Sequence, residues 1–449
     1  MNTITDQKTN RLVPIIMMIA LFGMISFVTN LAAPMGQVLK EQFGVSNFQG
    51  LLGNAANFIA YAVMGIPGGI LLQRVGYKKT ALIAIAIGFV GVFIQYLSGH
   101  ADQSMAFGVY LLGAFIAGFS MCLLNIVVNP MLNTLGGGGN KGNQLIQVGG
   151  SFNSVMATFT PAFVGILIGE ATKANIKDVF PVMYIAMGVF AVVFFVLLAV
   201  NIPEPYITKN KESLKQLMTG ALKFRHFVLG AIAIFVYVGV EVGTPGVMIY
   251  WLSDHPEVGK TIAGVVAGTY WLLMLVGRLI GASIGSKVSS KAMLTVTSFV
   301  GMVLILLAIF SSTSTMVSLP VLERSAGALS FGLAEVPINA MYIVLVGLCT
   351  SIMWGGIFNL AVEGLGKYTA AASGIFMVLV SGGGILPAIQ GGVADAAGYL
   401  SSYWVVFICL GYLFFYAVIG SRNVNRNISV EDVDDVPLET APQSMPVED

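Results

Sequence analysis

Val238-Gly239-Val240-Glu241-Val242-Gly243-Thr244-Pro245 sets one carboxylate inside an apolar run that extends over residues 227–252. An ionisable side chain at the centre of a bilayer costs about 3 kcal/mol or more, so it persists where something offsets that cost. The same arrangement occurs earlier, in Phe27-Val28-Thr29-Asn30-Leu31-Ala32-Ala33-Pro34. In both stretches a polar residue stands four positions before a proline, and the offset between them is 211 residues (245 − 34). A second pair, GGILLQRVGYKKT from Gly68 and IGASIGSKVSSKA from Ile280, repeats at 212 residues (280 − 68). Two near-equal offsets point to an internal duplication of about half the chain.

Composition agrees with a lipid environment. Of 449 residues 56% are hydrophobic and 10% charged, against about 25% charged in soluble domains. A spanning helix needs about 20 mostly apolar residues. Such runs fall near 12–36, 50–73, 80–98, 105–133, 145–169 and 179–201. They resume near 227–252, 260–286, 292–313, 337–362, 370–394 and 402–421. The expected fold is therefore all-α and polytopic, with twelve transmembrane helices in two pseudo-symmetric six-helix bundles. Residues 1–11 form an N-terminal tail, 12–201 the first bundle, 202–226 a polar linker, 227–421 the second bundle, and 422–449 an acidic tail without core-forming residues. The weakest stretch, 314–336, reads as a loop or a short extra helix.

Lys and Arg set the orientation. With both termini inside, 17 of the 22 fall in inner segments, Arg278 counted among them, and 5 in outer ones. A multi-pass protein of the inner (plasma) membrane with cytoplasmic termini follows, with the lipid bilayer as its surroundings. The net charge of +1 gives no reason to expect nucleic acid. Three separated cysteines and no His/Cys/Asp/Glu cluster give no metal site, cofactor or disulfide. Gly136–Gly139 lacks the Lys-Ser/Thr ending and the preceding strand of a phosphate loop, and is read as a connector. No nucleophile–base pair and no long charged loop supports an enzyme.

The polar residues inside the spans are the candidate site. Glycines at 239, 243 and 246 with Pro245 are expected to interrupt span seven around Glu241, whose carboxylate could carry a proton, accept sugar hydroxyls, or pair structurally. Asn125, Asn129 and Asn133 follow one another at four-residue steps along one helix face. Their amides offer donor and acceptor together, which suits a polyhydroxylated ligand and equally suits bonds between helices. Asn133 fits the second role better. Gln147 and Asn153 are further ligand candidates, with Ser151 and Ser154 as packing. Trp354 and Trp271 rank first as a stacking platform for a sugar ring, and Asn359 is a secondary polar candidate.

These residues resemble the fucose permease and glucose/galactose transporter family of the major facilitator superfamily. The carrying motifs are NFQG (Asn47–Gly50), Asn129-Pro130 with Leu135-Gly136, SFNS (Ser151–Ser154), YVGVEV (Tyr237–Val242), Gly277-Arg278-x-x-Gly281 and SGGGILP with GGVADAAG (Ser381–Gly398). The resemblance implies alternating access and uptake of a monosaccharide, usually with a co-transported proton (sodium being the alternative); a monomer is expected, though no residue pattern sets the oligomeric state. It implies a cavity lined by spans one, four, seven and ten, which hold Asn30, Asn125, Glu241 and Trp354. Fucose-transporting members carry acids where this chain has Ala33 and Asn125, which leaves Glu241 as the implied coupling residue. Arg74, Gly76 and Arg278 match the family's gating loops, with Gln73 in place of the usual Asp. An uncoupled sugar facilitator and an exporter of a metabolite or drug are the alternatives.

Overall fold

In hydrocarbon every backbone N–H and C=O must find a partner within the protein, and a helix satisfies them along its own length. The computed structural model describes residues 12–28, 47–168, 176–202, 204, 214–325 and 328–425, and each of the twelve expected spans has a helix there. Span one is Leu12–Val28. Spans two and three form one element, Asn47–Ser98, broken at Gly76, whose φ of 86° belongs to the left-handed region. Span four is Gln103–Leu135, span five Gly139–Ile168 and span six Phe180–Ala199. A short helix, Leu214–Ala221, lies in the linker. Spans seven, eight and nine are Arg225–Ser253, Gly259–Ile284 and Ser290–Phe310. Span ten is Ile338–Thr350 followed by Met353–Val362. Span eleven runs Thr369–Val378, a tight turn at Leu379–Ser381, then Gly382–Ala397. Span twelve is Tyr403–Phe415 with a π turn to Gly420. Val192 and Phe195 of span six and Val296 and Phe299 of span nine stay exposed, as lipid-facing side chains should.

Three expectations need correction. Residues 314–336 are neither loop nor helix but an antiparallel hairpin, β1 (Met316–Ser325) and β2 (Ala328–Pro337), with Leu319 opposite Ala334 and Val317 opposite Val336. The alternation is the reason: Leu319, Val321, Ala334 and Val336 are buried, while Ser318, Pro320, Leu333 and Glu335 face outward. The fold is thus all-α in its spans and not in this connection. Span seven is not interrupted; Pro245 sits inside a continuous helix. Its glycines serve close packing instead, since a Cβ at Gly239 or Gly243 would run into Leu386 or Gln390 of span eleven. Arg278 lies within span eight, not in an inner connecting segment, and its side chain is 12% exposed.

The two halves touch at the end of the bundle that carries Gly76 and the Gly136–Gly139 connection. Gly65 and Gly69 of span two meet Gly374 of span eleven backbone to backbone. On the other side, Gln144 of span five donates to the Ala282 carbonyl of span eight at 3.0 Å.

Candidate functional site

Span ten decides where the site forms. Its break at Ser351-Ile352 exposes carbonyls that a continuous helix would use. Two side chains from different helices come to them. Arg278 Nε donates to Ser351 O at 3.2 Å, and Gln147 Nε2 of span five donates to Ile352 O at 2.9 Å. Sequence reasoning placed the irregular backbone in span seven, where the glycines and proline are; span ten has no such marker at its break.

Arg278 is the hub. Nη1 donates to Ser154 Oγ at 2.7 Å, to the Gly150 carbonyl at 3.1 Å and to Asn153 Oδ1 at 3.4 Å, all on span five. Nη2 reaches Glu241 Oε1 at 3.3 Å and forms an ion pair with it. A planar fork of five donors suits this geometry, holding a carboxylate and several carbonyls at once. Glu241 sits near the middle of span seven with 16% of its side chain exposed. Beside it lies the buried Tyr237 hydroxyl, which lacks a partner of hydrogen-bond geometry. Ser154, read from the sequence as packing, is the shortest of the Arg278 contacts.

The amides are engaged. Asn125 Nδ2 donates to Tyr61 Oη at 2.7 Å, and Asn129 Nδ2 to the Asn125 carbonyl at 2.9 Å. The Trp354 indole N–H donates to Asn129 Oδ1 at 2.9 Å, joining span ten to span four. Asn153 Nδ2 holds the Phe22 carbonyl of span one at 3.0 Å. Trp354 packs against Tyr237 and Phe376, each with ring centroids 6.3 Å away. Trp271, 38% exposed, lies seven residues before Arg278 and so on the same face of span eight, edge-on to Tyr270. The structure thus brings Asn125, Asn129, Gln147, Asn153, Glu241, Arg278 and Trp354 into one network across the halves. Asn359 is not part of it: it bonds Ser290 Oγ at 2.9 Å and lines a pocket at the end of the bundle. Asn30 lies outside the described residues.

At the break between spans two and three, Arg74 is exposed and Gly76 is closed in by Glu204, which a Cβ would strike. Glu204, from the start of the linker, accepts the N–H groups of Tyr77 at 2.5 Å and Lys78 at 3.1 Å. This carboxylate cap on the first turn of span three has no local sequence signature, because its partners lie more than 120 residues away in the chain. Burial raises the Glu204 carboxyl above its usual range, and the two N–H groups and nearby lysines pull it partly back.

A buried polar network that ties two helical bundles together within the membrane is the arrangement of a transporter. The chain belongs to the Major Facilitator Superfamily, whose pattern it matches over residues 15–388. It is 29% identical to a glucose/galactose transporter of Brucella abortus over 94% of this chain and 98% of the relative. It is 21% identical to the L-fucose-proton symporter of Escherichia coli over 94% and 96%. A crystal structure of the Escherichia coli fucose:proton symporter has the same fold, with a TM-score of 0.77 at 19% identity, over 92% of this chain and 100% of that one.

Proposed function

We infer that this transporter takes up a monosaccharide by alternating access, with a proton as the driving ion and Glu241 as its carrier. The observation that carries the reading is the Arg278 hub: one guanidinium holds the candidate proton carrier of span seven and the backbone of span five in the other half. Ionised Glu241 balances the buried cation. Protonated, it no longer does so, and an uncompensated buried charge costs several kcal/mol. Protonation therefore weakens the closed arrangement, which is what coupling requires. The names of the relatives support a sugar as cargo, and the amides at Asn125, Asn129, Gln147 and Asn153 with the rings of Trp354 and Trp271 suit hydroxyls and a pyranose face. Asn30 completes the proposed set.

The Lys and Arg distribution supports cytoplasmic placement of both termini, and continues to do so with Arg278 left out of the inner segments. The closed end is then the inner one, and this conformation is sealed toward the cell interior. Halves of 12–201 and 227–421 would rock about the network, with Arg74, Gly76 and Arg278 at the gates. A single chain contains both halves, which suits a monomer.

Purified protein in liposomes tests the reading. Glucose, galactose, fucose and N-acetylglucosamine are added in turn while external pH is followed. We expect at least one to be taken up with alkalinisation of the medium. Uptake without any proton movement would replace coupling by facilitation or by sodium, and no uptake of any sugar would overturn the substrate class.

A further inference from the structure

Tyr237 is among the largest side chains wholly enclosed in the protein, and it stands one helical turn before Glu241 on span seven. Residues four apart on a helix share a face, and the phenol hydroxyl lies beside the carboxylate. It makes no hydrogen bond of good geometry. The phenol ring packs against Trp354 of span ten, centroids 6.3 Å apart, and the Trp354 indole is bonded to Asn129 of the other half at 2.9 Å. Among the described residues, the other titratable groups facing this pair are Arg278 and Tyr270, both from span eight. The Tyr270 hydroxyl is already bonded to Thr350 Oγ1 at 3.1 Å. Span five brings only the uncharged Asn153 and Ser154, through Arg278. Span eleven packs on the opposite face of span seven, at Gly239 and Gly243.

The ionised and the protonated forms of Glu241 need different partners. Ionised, the carboxylate accepts from Arg278 Nη2 at 3.3 Å. Protonated, it brings an O–H donor into a buried site, and a guanidinium has no acceptor to receive it. The oxygens around the guanidinium, those of Gly150, Asn153, Ser154 and Ser351, already receive Arg278 donors. The Tyr237 oxygen receives none. A buried polar group left unpaired is costly, and one bond from the acid to the phenol relieves both.

We propose that Tyr237 is a positioning residue for coupling: when a proton from the medium adds to Glu241, the carboxyl leaves Arg278 and its new O–H is received by the Tyr237 oxygen. The proton stays on Glu241 until it is released on the other side, and the phenol keeps its own. This inference rests on the reading of Glu241 as the proton carrier. The phenol ring is also the one against which Trp354 packs, so the exchange of partners reaches the residue that ties span ten to span four. Because the phenol oxygen serves the protonated acid and the ionised one has Arg278, removing it disfavours protonation. Coupling then requires a lower pH.

The test is counterflow of galactose, or of whichever of the four sugars above is taken up, in liposomes with equal pH on both faces. Native exchange should fall as pH rises and Glu241 loses its proton, while Glu241→Gln should exchange alike at every pH. Tyr237→Phe keeps the ring against Trp354 and removes only the hydroxyl. Its midpoint should lie lower by about half to one pH unit, the worth of one hydrogen bond. Tyr270→Phe, whose lost hydroxyl served Thr350, should keep the native midpoint. A second readout needs no variant at Tyr237 to fold. Infrared difference spectra of the native chain between acid and alkaline pH should show a phenol band changing together with a carboxyl band, both absent from Glu241→Gln. A Tyr237→Phe profile that superposes on the native one, an equal shift in Tyr270→Phe, or a carboxyl band without a phenol change overturns the proposal. Native pH dependence retained in Glu241→Gln would overturn the carrier reading as well, which tells the two failures apart.

Discussion

Arg278 makes five polar contacts to three other spans, five, seven and ten, through a planar fork of donors. Lysine keeps the charge that balances Glu241 but offers one compact ammonium in place of a fork. Arg278→Lys is therefore expected to keep the protein folded while loosening span five and the break in span ten. Spin labels on exposed Lys79 and Lys287, one in each half, would report it by electron–electron resonance as a population at longer distance. An unchanged distance distribution would show that Arg278 does not hold the halves. Glu204 acts in a smaller compass. In Glu204→Gln one of the two N–H groups of span three meets an amide NH₂ instead of an oxygen. Leaving a partly buried donor unsatisfied costs about 1–2 kcal/mol, which thermal unfolding in detergent should register as a lowered midpoint. No change there would mean that water caps those N–H groups equally well.

Among the elements, the contact of spans two and eleven depends on glycine. A Cβ on Gly374 would lie 2.7 Å from the Gly65 carbonyl oxygen and 2.9 Å from Gly69 Cα, both backbone atoms that cannot rotate away. Gly374→Ala should hold the closed end apart and favour the opposite-facing state. Thiol reagents applied from the Gly76 side should then reach a cysteine placed at Ser151 faster than in the native background; equal rates would contradict the packing described. The elements also show what the residues disclosed and what they withheld. Span positions, the duplication and the buried glutamate were readable because lipid demands long apolar helices and penalises a charge within them. The cation that answers Glu241 was read as a loop residue, because Arg278 lies six residues from the end of span eight, where hydropathy cannot separate a snorkelling arginine from a buried one. The hairpin was missed because its period-two pattern is short and contains Pro320 and Gly332. From the sequence the amides read equally as ligand groups or helix ties, and only the fold reveals that here they tie spans one, two, four, five and ten together.

For the whole molecule, two bundles joined at one end by Arg278, Gln144, Gln147 and the Asn129–Trp354 bond constitute a two-state device. A ligand or proton shifts such an equilibrium only by the difference in its affinity for the two states. Glu241 supplies that difference if its charge is part of what holds Arg278 in place. Neutralising it permanently should then leave sugar free to cross in either direction while a proton gradient no longer drives it uphill. The decisive measurement is made on Glu241→Gln in proteoliposomes, comparing accumulation of the transported sugar under an inward proton gradient with counterflow exchange in its absence. The account predicts exchange close to the native rate and accumulation abolished. Accumulation that persists in the variant would contradict it, and would move the driving ion away from this carboxylate.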